Sequence, residues 1–256
     1  MLKHLSPLDQ RQTTTSQLQK DCKKETKLSK IIQMNKINKQ VQKENKTINI
    51  LQECSLTVQQ GDMIAITGQS GIGKSTLLNI IGCLDEPSSG TYHLNGQDIT
   101  SLPTEHKSKI RKEIFGYIFQ QYWLIKHLTI LENVELALHY KGMKNTRKIA
   151  TETLEALGLL QHQHQLPNQL SGGQQQKSSI ARAIATQPKI IIADEPTGAL
   201  DKKSSHQVMS LLKDINHTTQ TTIIVVTHDQ DMAKICNKQM AIESLFHTNE
   251  IQNATL

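Results

Sequence analysis

The chain has 256 residues, enough for one large α/β domain or two small ones. Apolar residues make up 36%, low but sufficient for a core, and no run of about 18 apolar residues occurs, so no segment reads as a membrane span. The net charge of +6 gathers at the start: residues 1–46 hold eleven Lys/Arg and four Asp/Glu, a surplus of seven. A solvated basic tail is the simpler reading of that surplus, although it would also favour an anionic surface of lipid or nucleic acid. Met1-Leu2-Lys3-His4-Leu5-Ser6-Pro7 lacks the apolar stretch of a secretory signal. Cys22, Cys54, Cys83 and Cys236 are too scattered for a zinc pattern or a disulfide framework, which leaves reduced thiols as the expectation. The protein is therefore expected in the cytosol or held at a membrane by a partner.

Residues 1–30 are polar, rich in Gln, Thr and Lys, and read as a mobile extension. Ile32 and Met34 alternate as in a strand, yet Ile31, Met34, Ile37 and Val41 are also spaced as in a helix. The charged residues 40–46 read as a loop, and 47–51 and 53–58 as strands. Gln60-Gly61-Asp62 turns into Met63-Ile64-Ala65-Ile66-Thr67, a short apolar run that reads as a buried strand. A phosphate-loop motif, Gly68-Gln69-Ser70-Gly71-Ile72-Gly73-Lys74-Ser75-Thr76, follows and opens a helix. Residues 91–99 read as a hairpin about Asn95-Gly96. A charged helix is expected over 101–114, a strand over 115–119 ending at Gln120, and helical spacing over 121–165. A helix opened by Leu170-Ser171-Gly172-Gly173 runs to about residue 185. The aliphatic runs 189–193 and 221–226 read as central parallel strands, so the whole is an α/β fold.

Four segments carry chemistry. In the phosphate loop, glycines let backbone N–H groups turn inward around a phosphate, and the new helix points its positive end there. Lys74 would reach the β/γ-phosphates, and the Ser75 hydroxyl would help to hold Mg²⁺. Ile190-Ile191-Ile192-Ala193-Asp194-Glu195 puts two carboxylates at the end of a strand where such sheets bind ligands. Asp194 is placed to act on Mg²⁺ and Glu195 to polarise the attacking water. His228 ends the other aliphatic strand, within reach of a γ-phosphate. In Leu170-Ser171-Gly172-Gly173-Gln174-Gln175-Gln176, Ser171 can cap a helix with two glycines in its first turn, a second anion-binding helix end. One nucleotide does not need two such cradles from the same face.

Together the phosphate loop, Phe119-Gln120, residues 170–176 and 190–195, Ala199-Leu200-Asp201 and His228 resemble the ATP-binding-cassette (ABC) ATPases, in that family's order, over about residues 31–251. The resemblance implies a phosphate-loop fold with a mixed parallel core sheet, an antiparallel β subdomain, a helical subdomain over about 121–185, and a short tail at 252–256. It implies two cassettes, head to tail, clamping two ATP molecules. Ser171, Gly172 and Gly173 would bind the ATP held by the other cassette's phosphate loop. Gln120 would link Mg²⁺ and water to the helical subdomain, and Asp201 would carry contacts across the dimer. Glu195, His228 and Gln120 are thus the catalytic candidates, and Ser75, Gln120 and Asp194 the metal candidates. With one copy of each motif, a second cassette is required, a homodimer being the expected form.

Residues 80–85, 87–92, 129–134 and 196–201 look like a narrower group of macrolide-exporter, lipoprotein-releasing and cell-division cassettes. Their partner is a separate membrane permease with few spans and a large extracytoplasmic domain, which implies a peripheral position on the cytoplasmic face and an export role. A mechanical signalling cassette without transport shares the chemistry. A soluble cassette acting on nucleic acid or ribosomes is disfavoured: the long coiled-coil insertion and tandem cassettes of those groups are missing, so no specific nucleic-acid partner is expected. Three departures stand out. No aromatic residue precedes Tyr92, so the adenine-stacking position near Val41 is aliphatic, which predicts weaker ATP affinity or loose base selectivity. Lys177-Ser178-Ser179 replaces Arg and apolar residues. Thr248-Asn249 replaces an Asp-Gly turn, which asparagine can tolerate. His162 and His164, in a Gln/His-rich stretch, read as surface residues rather than metal ligands.

Overall fold

Alternating apolar and polar side chains carry the first part of the chain into two long antiparallel strands, β1 (Lys30–Lys43) and β2 (Lys46–Gln59). The computed structural model describes residues 29–43 and 46–246; the basic extension, the Thr248-Asn249 turn and the tail expected after residue 251 lie outside the described residues. The strand-or-helix ambiguity around residue 31 resolves as strand. A register irregularity falls between Met34 and Ile37, and Lys36 sits there at φ 49°. The extra residue returns Ile37 to the buried face, which produces the helix-like step of three. The loop expected over residues 40–46 is corrected. β1 continues through Lys43, with Gln40, Val41 and Gln42 paired to Asn49, Ile48 and Thr47. Cross-strand ladder bonds and the Gln42–Thr47 side-chain bond of 2.9 Å override what the charged composition suggests.

β3 (Met63–Thr67) leads into α1 (Lys74–Ile81). β4 (Ser89–Leu94) and β5 (Gln97–Asp98) then form the expected hairpin, with Asn95 at φ 50° and Gly96 at φ 78° in the mirror-image turn that strand twist favours. The first sheet has the order β2-β1-β4-β5 and is antiparallel throughout. The chain continues through α2 (Thr104–Ile114), β6 (Phe115–Phe119), α3 (Ile130–Lys141), α4 (Thr146–Ala156) and α5 (Gly172–Ile184). It closes with β7 (Ile190–Asp194), α6 (Lys202–Thr219), β8 (Thr222–Val226), α7 (Gln230–Ala233) and β9 (Lys238–Ala241).

The second sheet, β6-β7-β8-β3-β9, is parallel at every pairing, so all five strands deliver their carboxyl ends to one edge. Its central strands read as unbroken aliphatic runs because both faces are covered. Ala65, Ile191, Ala193, Ile223 and Val225 pack under the helices α3 to α6. Their alternate neighbours Ile64, Ile66, Ile190, Ile192, Ile224 and Val226 pack with α1 and the antiparallel sheet.

The helical spacing over residues 121–165 is only partly helix, because α3 begins at Ile130. Thr129 caps it in a reciprocal box with Glu132. Asn133, almost fully buried, accepts from the Ile125 N–H at 2.8 Å and donates to the carbonyls of Ile125, Leu128 and Thr129. That one side chain satisfies the backbone of a turn that cannot continue the helix.

Candidate nucleotide site

The edge formed by the ends of β3, β6, β7 and β8 gathers most of the residues singled out by the sequence. Gly68 (φ 154°), Gly71 (φ 82°) and Gly73 (φ 108°) bend the loop after β3. Gly73 is needed on two counts: its φ lies in the left-handed region, and a Cβ there would sit 3.0 Å from the Ile50 carbonyl of β2. Ile72 packs against the core beneath, whereas Ser70 and Ser75 are exposed and Thr76 is half-buried. Lys74 is buried, and its ammonium donates to the Gly68 carbonyl at 2.8 Å and the Gln69 carbonyl at 2.7 Å. The cation is held in the mouth of its own loop. The first turn of α1 has neither a side-chain cap nor an acidic residue, so its N–H groups are left for an anion.

Ser75 Oγ donates to Asp194 Oδ1 at 3.2 Å. Burial raises the Asp194 carboxyl above its ordinary value; the Ser75 hydroxyl opposes this, the neighbouring Glu195 adds to it, and Lys74 opposes it. A hydroxyl and a carboxylate oxygen side by side, on a group whose charge lacks full compensation, suit a hard divalent cation. Glu195 turns back at φ 46°, its N–H donating to the Val226 carbonyl at 2.9 Å. Its carboxylate is mostly buried and accepts from the His228 backbone N–H at 3.1 Å, with His228 Nδ1 at 2.8 Å from the same oxygen. Gln120 follows β6 and lies against Gly198, where a Cβ would come within 2.7 Å of Nε2. Its amide makes no hydrogen bond to Ser75 or Asp194. Val41, half-exposed and paired to the exposed Ile48, forms the aliphatic end of the hairpin whose Ile50 overlies Gly73.

Ser171, Gly172, Gly173 and Asp201 form a second group, and no hydrogen bond joins them to residues 68–76 among the described residues. Ser171 caps α5 in a full box: its Oγ accepts from the Gln174 N–H at 3.4 Å, while the Ser171 N–H donates to Gln174 Oε1 at 2.9 Å. Asp201 caps α6, accepting from the Ser204 N–H at 3.0 Å and the Ser204 hydroxyl at 2.6 Å; these bonds hold its carboxyl below the ordinary value. The two starts touch, since a Cβ on Gly173 would lie 3.3 Å from Ser204 Oγ. Ser178 and Ser179 are fully buried; Ser178 returns a bond to the Gln174 carbonyl, and Ser179 Oγ has no partner.

Several residues that shape these groups left little trace in the sequence. Tyr122 and Trp123 both adopt positive φ, at 60° and 47°, and Arg182 of α5 donates to both carbonyls. The Tyr122 hydroxyl lies 3.0 Å from where a Gly172 Cβ would be. Aromatic residues seldom take this backbone region, so no local signal announced the turn. Trp123 stacks on Phe119, stays 65% exposed, and with Tyr117, Tyr140 and Leu84 lines a groove of about 380 Å³ between α2, α3 and β6. His162, expected at the surface, is half-buried and bonded to Gln174 at 3.0 Å, whereas His164 is exposed.

A phosphate loop, a strand-end carboxylate pair and a histidine on one parallel-sheet edge define a phosphate-loop nucleotide hydrolase. Comparison with known proteins narrows this. A family profile described as ABC transporter matches residues 51–198. The uncharacterized ABC transporter ATP-binding protein YknY of Bacillus subtilis is 43% identical over 210 residues, covering 81% of this chain and 91% of that protein. The macrolide export ATP-binding/permease protein MacB of Vibrio parahaemolyticus is 44% identical over 201 residues, 78% of this chain and only 31% of that protein's length. A dimeric structure of the cassette MJ0796 in a post-hydrolysis state, bound to ADP and Pi, superposes with a TM-score of 0.76 at 40% identity, covering 82% of this chain and 94% of that one. The chain belongs to the ABC transporter family, as an ATP-binding ATPase cassette.

Proposed function

We propose that this cassette pairs with a second copy on binding ATP, hydrolyses it at the seam, and so drives a separate membrane permease in an exporter. The observation that carries the reading is the separation of the two phosphate-binding groups. Lys74 and the bare first turn of α1 make one half-site, and Ser171 to Gly173 make another, with no hydrogen bond between the two among the described residues. Two half-sites that cannot serve one nucleotide in one molecule can do so between two. The dimeric MJ0796 cassette supports this arrangement. MacB, whose name joins export, ATP-binding and permease functions in a longer protein, supports the permease partner. No described helix is long and apolar enough to cross a membrane; joined to such a permease, the chain would sit peripherally, on the cytoplasmic face.

In this reading Lys74 leaves the Gly68 and Gln69 carbonyls for the β/γ-phosphates, and the N–H groups of residues 69–76 close round them. Ser75, Asp194 and Gln120 would hold Mg²⁺, which neutralises phosphate charge when bound. Glu195 orients the attacking water, with His228 holding its carboxylate and facing the γ-phosphate. Ser171 and Gly173 of the opposite cassette complete the pocket, and Asp201 carries contacts across the seam. Closure reaches the permease through Gln120 and the turn after it. The aromatic groove around Trp123 supports this route, because it presents an exposed apolar surface beside that turn.

Glu195→Gln tests the chemistry and the pairing together. Turnover should fall almost to nothing, ATP should still bind, and a dimer should accumulate with Mg-ATP in analytical ultracentrifugation. Full ATPase activity would remove Glu195 from its role, and a persistent monomer would remove the seam.

A further inference from the structure

A chain of side-chain hydrogen bonds outside the strand-end site runs into the Ser171 segment. The Ser171 N–H can only donate, and its acceptor is Gln174 Oε1 at 2.9 Å. The other end of that amide is therefore the NH₂ group, and it faces His162 Nε2 at 3.0 Å. Nε2 must then accept, which puts the ring proton on Nδ1, where it is donated to Gln165 Oε1 at 2.9 Å. Gln161 Nε2 approaches the same acceptor nitrogen at 3.3 Å. The direction of every bond follows from one backbone N–H, and it requires a neutral imidazole.

We propose that His162 is a positioning residue for the phosphate-contacting segment. As a neutral acceptor it holds Gln174 with Oε1 toward Ser171, keeps the capping box closed, and so keeps Ser171 and Gly173 shaped for a nucleotide on the opposite cassette. This rests on the reading of Ser171 as a contact across the seam. A second proton on the imidazole sets N–H against N–H. Gln174 then turns its amide over to offer Oε1 to the imidazolium, which brings NH₂ against the Ser171 N–H and opens the box. The three hydrogen-bond neighbours of His162 are neutral glutamines. The titratable groups on the helices around it are Glu132, Glu135, His139, Tyr140 and Lys141 of α3, Arg147, Lys148, Glu152 and Glu155 of α4, and Lys177 and Arg182 of α5; none is hydrogen-bonded to His162. Among the described residues no carboxylate forms a hydrogen bond or an ion pair with His162.

The test uses the full chain, with two readouts: steady-state ATPase, and ATP-driven dimer formation in a Glu195→Gln background. His162→Leu removes the acceptor, and His162→Arg puts a donor in its place. Each should raise the ATP concentration for half-maximal dimer formation about three- to tenfold, the weight of one hydrogen bond. In the otherwise wild-type chain each should raise KM similarly, with kcat at saturating ATP within about twofold, because the strand-end groups are untouched. His162→Gln keeps an acceptor and should restore most of the loss. Between about pH 8 and about pH 5, the wild-type KM should rise relative to that of His162→Gln. Both proteins carry His228, so the difference isolates His162. Should His162→Leu fail to fold, the Arg and Gln variants decide. Equal KM values for those two, or parallel pH profiles for wild type and His162→Gln, would overturn the proposal. Ser171→Ala separates the two levels. If it leaves dimer formation intact, the seam reading is lost; if it weakens pairing while the His162 variants do not, only the positioning role is lost.

Discussion

The starts of α1 and α5 are built on opposite plans. α1 begins with no side-chain cap and no acidic residue, under a loop of three positive-φ glycines and a lysine bonded to the loop's own carbonyls. α5 begins with every available side chain turned onto its own backbone, through the Ser171–Gln174 box. The first is left unsatisfied and waits for an anion; the second is complete and keeps its shape without one. An unsatisfied donor set binds strongly because water alone competes for it, whereas a self-capped turn offers only its outward hydroxyl and N–H groups. Under the proposed pairing, the contrast divides the labour: the phosphate loop supplies affinity in each chain and the capped start senses whether a second chain is present.

The sharpest way to break that comparison is to remove the cation. Lys74→Ala should weaken ATP binding to the isolated chain by about 2–5 kcal/mol, the usual range when one member of a buried charge pair is removed. Calorimetric titration would measure it, and unchanged affinity would leave the loop without its assigned task. Ser171→Ala should do the reverse. Affinity of the single chain stays near wild type, while dimer formation in the Glu195→Gln background loses about 1.5–3 kcal/mol, the range for a hydrogen bond to a charged group. Thermal unfolding would register the separate cost of the cap, about 1 kcal/mol. If Ser171→Ala abolished nucleotide binding by the lone chain, the two starts would not be separate sites.

Asp194 sharpens the comparison through pH. Its carboxyl is raised, chiefly by burial, so the protonated form suits the folded chain better than the charged one does. The stability it lends is present at low pH and is lost as pH rises through its folded-state value. Asp194→Asn should therefore raise Tm at neutral pH, with the gap to wild type closing on acidification, while turnover is lost. A variant less stable than wild type at neutral pH would contradict the assignment. The smallest effect is expected at the hairpin end. Val41→Tyr should gain about 0.5–1.5 kcal/mol in ATP binding, the worth of an aromatic pair, and increase selectivity for ATP over GTP. No gain would mean that the base does not rest on the Val41–Ile48 pair.

Much of the strand-end group is legible in the sequence. A phosphate loop needs local spacing only, and Asp194, Glu195 and His228 each end an aliphatic run, so a parallel sheet brings them to one edge. The turn after Gln120 was not legible, because two aromatic residues at positive φ are stabilised by Arg182, some 60 positions away, and the residues that follow, 125–129, are held by the buried Asn133. The pairing of residues 40–43 with 46–49 was hidden in the same way, since the charged composition of that stretch says nothing of the ladder that pairs it. His162 was read as a surface residue because a Gln/His-rich stretch has no pattern; only packing shows that Gln174 lies against it.

The α/β plan, the phosphate loop, the strand-end carboxylates and the capped start of α5 are written locally, because each rests on residues within a few positions of one another. Tertiary structure alone decided that Ile50 closes over Gly73, that Gln120 lies against Gly198, and that the start of α5 rests on the start of α6 rather than on the phosphate loop. Those contacts join segments far apart in the chain. They form because the two faces of the parallel sheet bury different sets of side chains, and that burial, rather than any local preference, sets where the loops come to lie.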